Sequence, residues 1–245
     1  MGEIIAVLSG KGGTGKTSVC AGLATALAAE GLDVLCVDCD IGLRNLDISL
    51  GLSSVEALSF LDITQGGFSI SQAASHPNFP SLKFLTAPVN DSAAQVDPGS
   101  FRQFLSRARG EFHYIFLDAP AGIDAGFRLA AGHADRILLV TGPDPAAIRD
   151  AGRTGEVLEL MEKTEVRLVV NRISKKLATS FRLTVDDIMD RAGLPLLGLV
   201  PEDPNVMLAA VRGKPLLKYS RRGAAAAFRR IAGRLQGRRI PVPMK

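Results

Sequence analysis

The segment Ser9-Gly10-Lys11-Gly12-Gly13-Thr14-Gly15-Lys16-Thr17 follows the apolar run at residues 4–8 and precedes a helical stretch at residues 16–30. Its glycines let the backbone curl so that successive N–H groups point at phosphate oxygens, and the start of a helix adds the positive end of its dipole. The string fits G-x-x-x-x-G-K-[ST] between a strand and a helix, where this pattern is specific. An ordinary glycine-rich turn, the alternative, does not require a Lys-Thr pair after the last glycine. The sequence therefore predicts a phosphate-binding loop.

The two lysines of this loop carry different expectations. We expect Lys16 to contact the β- and γ-phosphates of a nucleotide and the Thr17 hydroxyl to ligate Mg²⁺. Lys11 is not needed to hold the chain's own phosphates, and a solvated loop lysine is its alternative interpretation. The residues predicted to bind the nucleotide here are Gly10, Lys11, Gly12, Gly13, Thr14, Gly15, Lys16, Thr17 and Ser18.

Short apolar runs alternate with helical stretches along the whole chain. The runs lack polar alternation, which is typical of strands buried on both faces. The regular alternation of strands and helices predicts a single α/β domain over residues 1–245. Its sheet is expected to be doubly wound and mostly parallel, with helices on both faces. Residues 63–81, with Gly66, Gly67, Pro77 and Pro80, are expected to form a surface excursion. The predicted strands are 4–8, 34–37, 82–85, 114–117, 137–140, 166–170 and 196–200, and the predicted helices are 16–30, 98–109, 124–132, 145–161, 184–192 and 205–211.

Three acidic residues stand at the ends of predicted strands. Asp38 and Asp40 follow the run at 34–37, and Asp118 follows the run at 114–117. Ligands of doubly wound sheets bind at the carboxyl ends of the strands, and carboxylates there can hold Mg²⁺ and water. Strand-end capping by Asp38 and Asp40, and a turn begun by Asp118 two residues before Pro120, are the alternatives for each acid alone.

Four strings, in this order, resemble segments of one family. They are SGKGGTGKT at 9–17, DCDIGLRNLD at 38–47, DAPAGI at 118–123 and VPEDPNV at 200–206. The sequence resembles the MinD group of the MinD/ParA family of deviant Walker A P-loop ATPases, and the resemblance spans about residues 3–235. It implies ATP or ADP with Mg²⁺ as ligands and slow ATP hydrolysis that depends on dimerisation.

The resemblance also implies roles for individual residues. Lys11 would reach the partner's nucleotide across an ATP-bound homodimer, so that Lys11, Lys16 and Asp40 form the catalytic set. Asp40 would orient the attacking water, Asp38 would help to hold the water shell of Mg²⁺, and Asp118 would bind Mg²⁺ through water. Residues 41–47 would be switch I and residues 118–123 switch II.

The family resemblance assigns the base of the nucleotide to a different part of the chain. Asn171, at the end of a predicted strand, would read adenine, and Pro201, Glu202 and Asp203 would line the base through backbone groups. A turn asparagine at a strand end is the alternative for Asn171. The sequence contains no N-K-x-D string of the guanine-specific type, which favours ATP over GTP.

The implied output is the placement of the cell-division site. A division inhibitor and an ATPase-activating protein would bind switch I through Gly42, Leu43, Arg44, Asn45 and Asp47. Three alternatives remain open at this point: a ParA-like DNA-partition ATPase, a flagellar-number regulator of related sequence, and a scaffold that binds nucleotide without hydrolysing it.

Composition indicates a cytoplasmic protein. Of the 245 residues, 47% are apolar and 22% are charged, no apolar run is long enough to span a bilayer, and no basic leader precedes residue 4. Three cysteines, an odd number, argue against a disulfide framework, and Cys36-Val-Asp-Cys39 lacks the further ligands of a metal site.

Charge is distributed unevenly along the chain. Residues 1–203 carry 18 Lys and Arg against 25 Asp and Glu, whereas residues 204–245 carry 11 against none. A basic helix is predicted at about 221–239 and resembles the last core helix of the family, with Phe228, Ile231, Ala232 and Leu235 on one face. Because Pro241 and Pro243 follow, we expect no separate membrane-targeting helix there. The basic residues could still meet nucleic acid or the inner face of the cell membrane, and a solvated helix face is the alternative.

Overall fold

Eight strands form one sheet in the computed structural model, which describes residues 1–41, 43–88, 96–174 and 184–242. The strands are β1 (Glu3–Leu8), β2 (Val34–Asp38), β3 (Ala74–His76), β4 (Phe79–Leu85), β5 (Tyr114–Asp118), β6 (Arg136–Thr141), β7 (Val166–Ile173) and β8 (Leu196–Pro201). Their order is β3-β4-β2-β5-β1-β6-β7-β8, and every neighbouring pair is parallel except β3 and β4. The predicted doubly wound sheet is thereby confirmed.

The helices cover both faces of the sheet. They are α1 (Lys16–Ala28), α2 (Leu46–Leu50), α3 (Phe60–Thr64), α4 (Pro98–Glu111), α5 (Ala125–His133), α6 (Pro145–Leu160), α7 (Val185–Ala192), α8 (Asn205–Val211), α9 (Leu216–Tyr219) and α10 (Gly223–Leu235), with a 3-10 turn at Ile70–Gln72. In β1, Ile4, Ala6 and Leu8 face a core with α3–α7, whereas Ile5 and Val7 face a second core with α1, α2 and α8–α10. This alternation of side chains produces three layers, helix, sheet and helix.

The expectation of a surface excursion at residues 63–81 is wrong in part. Ile63, Ile70 and Ala73 are buried, and residues 74–76 add an antiparallel edge strand. His76 is 1% exposed, with Nε2 lying 2.9 Å from the carbonyl of Leu50 and Nδ1 accepting from the N–H of Asn78. Because β3 has only three residues, its sequence carries too few positions for a periodic pattern to appear.

The basic C-terminal helix is a core helix, as expected, although it spans 223–235 rather than about 221–239. Phe228, Ile231, Ala232 and Leu235 are all buried. The ring of Phe228 lies where a Cβ on Gly22 of α1 would be, 2.2 Å from its nearest ring atom, so only glycine permits this close packing. Among the described residues, no helix has both the length and the apolar character needed to cross a bilayer.

Candidate nucleotide site

The loop between β1 and α1 has the conformation that its glycines predicted. Gly13 and Gly15 have φ angles of +80° and +87°, a region that other residues adopt only with strain. A Cβ at Gly10 would lie 2.4 Å from Oγ1 of Thr154, and a Cβ at Gly15 would lie 2.3 Å from Nδ2 of Asn171. Glycine is therefore required at Gly15 for two reasons, backbone conformation and close packing.

Hydrogen bonds from distant parts of the chain hold this loop in place. Asn171 at the end of β7 donates from Nδ2 to the Thr14 carbonyl at 2.8 Å, and both groups are buried. The Ser9 hydroxyl donates to the Lys11 carbonyl at 2.8 Å, and the Gly122 N–H donates to the Ser9 carbonyl at 3.1 Å. The loop is thus pre-organised by β7 and by the segment that follows β5.

Asp38 and Asp118 stand side by side at the carboxyl ends of the neighbouring strands β2 and β5. Burial raises the pKa of Asp118 to about 7, and the Asp38 charge adds to this, whereas Lys16 and a hydrogen bond from Thr17 oppose it. Burial likewise raises the pKa of Asp38 to about 6, against two backbone hydrogen bonds that lower it. Oδ1 of Asp118 is buried and has no hydrogen-bond partner among the described residues. Two ionised carboxylates are unfavourable when buried side by side, and a bound cation would offset that cost. Together with Thr17 and Lys16 they therefore form a site suited to a cation.

Asp38 also organises the segment that follows β2. Its Oδ1 accepts from the Asp40 N–H at 2.9 Å, and its Oδ2 accepts from the Leu46 N–H at 3.2 Å. The second bond anchors the first residue of α2, a helix that sequence reasoning missed because it has only five residues. Asp40 is half-buried, and burial raises the pKa of its carboxyl, while Lys16 partly opposes the shift.

Lys11 lies on the outer side of the loop. Its Nζ is 3.5 Å from Oδ1 of Asp144, and both side chains are about half exposed. Asp144 also caps α6 by accepting from the Ala147 N–H. Although partial burial works in the opposite direction, that hydrogen bond and Lys11 lower the pKa of Asp144. Lys11 therefore contacts α6 and is accessible from outside the molecule, whereas Lys16 is 8% exposed.

The residues expected at the base gather around one cleft of about 750 Å³ beside α1. Asn171, Pro201, Glu202 and Asp203 all line it, together with Ser18. The backbone N–H of Glu202, however, donates to the Ile173 carbonyl at 3.0 Å and is not available to a base. The amide nitrogen of Asn171 likewise donates one of its two hydrogens to the Thr14 carbonyl.

The Asp203 side chain has a structural task that the sequence did not reveal. Oδ1 accepts from the N–H and the Nδ2 of Asn205, and Oδ2 accepts from the Ala224 N–H at 3.0 Å. One carboxylate thus caps α8 and α10 together. Gly223, at φ +56°, makes room for it, because a Cβ there would lie 2.2 Å from Oδ2.

The predicted switch I residues lie between Asp40 and α2, and Gly42 falls outside the described residues. Leu43 is 71% exposed and Asn45 is also exposed, whereas Arg44 and Asp47 are half-buried. Arg44 has a φ of +43°, and its Nε is buried without a hydrogen-bond partner in the described part of the chain. Among the described residues of this segment, Leu43 and Asn45 are therefore the exposed ones.

A model of the CobQ/CobB/MinD/ParA nucleotide binding domain matches residues 5–216, which include the loop, Asp38, Asp118 and most of the residues that line the cleft. The chain belongs to this family. Within it the chain is similar to the septum site-determining protein MinD of Bacillus subtilis, with 38% identity over 247 residues that cover 99% of this chain and 92% of that protein. The MinD group, expected from the four strings, is confirmed.

Solved MinD structures share the fold over nearly the full chain. MinD in the MinC:MinD cell division complex of Aquifex aeolicus matches with a TM-score of 0.90 and 35% identity, covering 98% of both chains. MinD of Pyrococcus horikoshii, complexed with Mg-ADP, matches with a TM-score of 0.82 and 30% identity, covering 96% of both. The arrangement of the site in this MinD-family chain is thus that of a nucleotide-binding domain.

Proposed function

We propose that this MinD-family chain is a cytoplasmic, ATP-dependent dimerising switch that hydrolyses ATP slowly and times partner binding in division-site placement. One observation carries the proposal. A preformed phosphate loop holds a buried lysine, Lys16, beside the paired carboxylates of Asp38 and Asp118, while a second lysine, Lys11, faces outward. An arrangement that only binds phosphate does not need the outward lysine.

The residues present fit a magnesium nucleotide. Oγ1 of Thr14 and Oδ1 of Asp118 are buried polar atoms without a partner among the described residues, and they lie where phosphate and cation would supply one. Thr17, Asp38 and Asp118 would hold Mg²⁺, which supplies charge neutralisation on the β- and γ-phosphate oxygens. Support also comes from the Pyrococcus horikoshii relative, which carries Mg-ADP.

The chain's own residues would then divide the work. The loop N–H groups and Lys16 bind the phosphates, while Asp40 orients a water molecule from its half-buried position. Lys11 of a second copy would approach the same phosphates from outside, as an arginine finger does. Asn171, Pro201, Glu202 and Asp203 would border the base, with Asn171 offering its Oδ1 and the backbone at 201–203 its carbonyl groups.

The proposed protein partners would bind the predicted switch I segment, residues 41–47. Aquifex aeolicus MinD is found in complex with MinC, which supports a division inhibitor as a partner of this chain too. We place that contact, and the contact of an ATPase-activating protein, on switch I, where Leu43 and Asn45 are exposed next to Arg44 and Asp47.

The test is to measure mass and hydrolysis on the same preparations. Light scattering of Asp40→Ala saturated with MgATP is expected to show twice the single-chain mass, and ADP is expected to leave the chain monomeric. Lys11→Ala is expected to hydrolyse ATP at least tenfold more slowly than wild type, whereas Lys83→Ala, at a half-buried lysine on β4 whose Nζ donates to the Ser71 carbonyl, serves as the control with a wild-type rate. An unchanged mass, or equal and negligible rates in wild type and Lys11→Ala, would contradict the switch and favour the scaffold.

A further inference from the structure

His76 is a buried polar side chain that the proposed function does not use. It ends β3, the short antiparallel strand at the edge of the sheet, and is 1% exposed. The pairing register of β3 shifts between Ser75 and His76. A bulge of this kind re-aims a side chain, and here Ser75 is exposed whereas His76 is buried. The irregular pairing thus turns the imidazole into the molecule.

The imidazole of His76 joins the edge strand to α2. Its Nδ1 accepts from the Asn78 N–H at 3.0 Å, so the proton of the neutral ring is on Nε2, which donates to the Leu50 carbonyl at 2.9 Å. Burial lowers the pKa of His76 and the Lys218 charge adds to this, whereas the hydrogen bond to Leu50 opposes it. The ring is therefore neutral at pH 7, which is the state in which both hydrogen bonds form.

Neighbouring side chains fix the orientation of this ring. It packs edge to face on Phe79 of β4, with 5.2 Å between the ring centres, and Nζ of Lys218 on α9 lies 5.0 Å from the centre of the same phenyl ring. Phe79 is itself buried. Aromatic pairs prefer this geometry, so β4 and α9 together hold the imidazole with its donor directed at α2.

The helix α2 is too short to be stable by itself. It has five residues, and isolated helices below about 12–15 residues are marginal in water. Asn45, which precedes it, makes no capping hydrogen bond through its side chain. Side chains from elsewhere hold both ends instead: Asp38 accepts from the Leu46 N–H at the first residue, and His76 donates to the Leu50 carbonyl at the last.

The residue after α2 is closely confined as well. Gly51 has a φ of +71°, and a Cβ there would lie 2.9 Å from the Gly213 carbonyl and from the Lys214 backbone. The end of α2 is thus enclosed between His76 and residues 213–214. Because the helix is a single short hydrogen-bonded unit, a displacement of this end would also displace its first residue.

We propose that His76 is a positioning residue for the magnesium site and acts on Asp38 through α2. The Asp38 carboxylate accepts from the N–H groups of Asp40 and Leu46, one on each oxygen, and these bonds fix its orientation at the end of β2. By holding the far end of α2, His76 keeps the Leu46 N–H on Asp38. This inference rests on the proposed function, which takes Asp38 as a residue that holds the water shell of Mg²⁺.

A role confined to the edge strand fits the contacts of His76 less well. The bond from Asn78 lies within the turn that joins β3 to β4 and is sufficient to order that turn. The bond to Leu50 leaves the turn and reaches a residue 26 positions earlier in the chain. It is this second bond that links the edge of the sheet to the segment following Asp38.

Two substitutions at His76 separate its two hydrogen bonds. In His76→Gln the side-chain amide nitrogen takes the place of Nε2 and keeps the donor to Leu50, whereas in His76→Asn the side-chain oxygen takes the place of Nδ1 and keeps only the bond from Asn78. A matched control is His133, whose Nδ1 lies 2.8 Å from the Leu129 carbonyl of α5 in the other core. His133→Gln removes that bond and leaves α2 unchanged.

The first test is calorimetry of ADP binding to the full chain at a series of Mg²⁺ concentrations. His76→Asn is expected to raise the Mg²⁺ concentration for half-maximal enhancement of ADP binding by about threefold to tenfold, while ADP affinity without Mg²⁺ stays that of wild type. His76→Gln is expected to restore the wild-type Mg²⁺ dependence, and His133→Gln to keep it. Each variant loses one hydrogen bond and is expected to melt below wild type, so a merely structural role would lower stability without changing the Mg²⁺ dependence.

The second test is hydrogen exchange of the backbone amides. Residues 46–50 are expected to exchange faster in His76→Asn than in wild type or His76→Gln. In the wild-type chain, Mg²⁺ added to the ADP complex is expected to slow exchange at residues 76–78, because coupling between two sites acts equally in both directions. That measurement needs no variant, so it decides even if His76→Asn does not fold.

Two results would overturn the proposal: the same Mg²⁺ dependence in His76→Asn and His76→Gln, or exchange at residues 76–78 that Mg²⁺ leaves unchanged. Both tests use ADP and require neither hydrolysis nor a dimer. A chain whose Mg²⁺ dependence follows the bond to Leu50 but that neither hydrolyses ATP nor dimerises contradicts the switch only. A chain that hydrolyses ATP and dimerises, while its His76→Asn variant binds MgADP as wild type does, contradicts the positioning role only.

Discussion

At the scale of single residues, the burial of two neighbouring carboxylates in the site lowers the stability of the folded chain. Asp38 and Asp118 are almost fully buried next to each other, and both have raised pKa values, about 6 and about 7. A raised pKa of a carboxyl means that folding favours its protonated form, so this part of the stability is fully present below about pH 4 and is lost as pH rises through 6 and 7. In the absence of a cation, the two buried carboxylates therefore make the free energy of unfolding smaller at pH 8 than at a pH where both are protonated.

Asp118→Asn is therefore expected to stabilise the nucleotide-free chain while abolishing hydrolysis. Each pKa unit corresponds to about 1.4 kcal/mol, so the gain at pH 8 is on the order of 2–4 kcal/mol, and it falls toward zero near pH 4. Urea unfolding at several pH values measures it. Asp190→Asn, at an exposed carboxylate of α7, is the control and should change stability by less than about 0.5 kcal/mol. A substitution at Asp118 that destabilises equally at pH 5 and pH 8 would contradict the buried-charge account.

At the scale of elements, close packing between helices positions the loop. α1 carries the loop at its start, and its Gly22 receives the Phe228 ring of α10, where a Cβ would be 2.2 Å from that ring. The partner is a fully buried aromatic ring, which cannot move aside without opening a cavity.

Gly22→Ala is accordingly expected to destabilise the chain by about 1–3 kcal/mol even though alanine is the better helix former. The matched control is Gly132→Ala within α5, where a Cβ meets nothing within 4 Å, and it is expected to be neutral or slightly stabilising. Thermal unfolding of both variants and of wild type measures these changes in stability. A Gly22→Ala chain as stable as wild type would mean that α10 shifts freely on α1.

At the scale of the whole molecule, the site brings together the ends of β1, β2, β5 and β7. A ligand that binds this folded arrangement, and not the unfolded chain, must stabilise the entire sheet.

Saturating MgADP is expected to raise the free energy of unfolding by about 2.7 kcal/mol when its concentration is a hundred times its dissociation constant. The melting temperature with MgADP, with MgGDP and without nucleotide measures the effect. MgGDP is expected to raise the melting temperature less than MgADP, because the sequence lacks the guanine-specific N-K-x-D string. In Lys16→Ala, most of the rise with either nucleotide should be lost. If the melting temperature of Lys16→Ala rose as much as that of wild type, Lys16 would not contribute to phosphate binding.

Much of the fold and half of the site could be predicted because their signals are local. The loop residues Gly13, Gly15, Lys16 and Thr17 act together through consecutive backbone, so their spacing alone defines the phosphate cradle. Asp38 and Asp118 could be paired in advance because carboxyl ends of parallel strands share one edge, and the structure places them on neighbouring strands. Buried strands and long helices repeat their patterns over enough residues to be recognised.

What the sequence determined, then, was the placement of acidic residues at the strand ends and the layered fold, since both arise from contiguous patterns. Only the tertiary structure decided which distant groups complete the site: Asn171 on the Thr14 carbonyl across 157 positions, Asp203 capping α8 and α10 at once, and Lys11 beside Asp144. Each of these contacts joins a side chain to a group that stands at no regular spacing from it in the chain. Such contacts exist because packing two helical layers on one sheet brings them within hydrogen-bonding distance, a constraint that acts in space and leaves no periodic trace in the sequence.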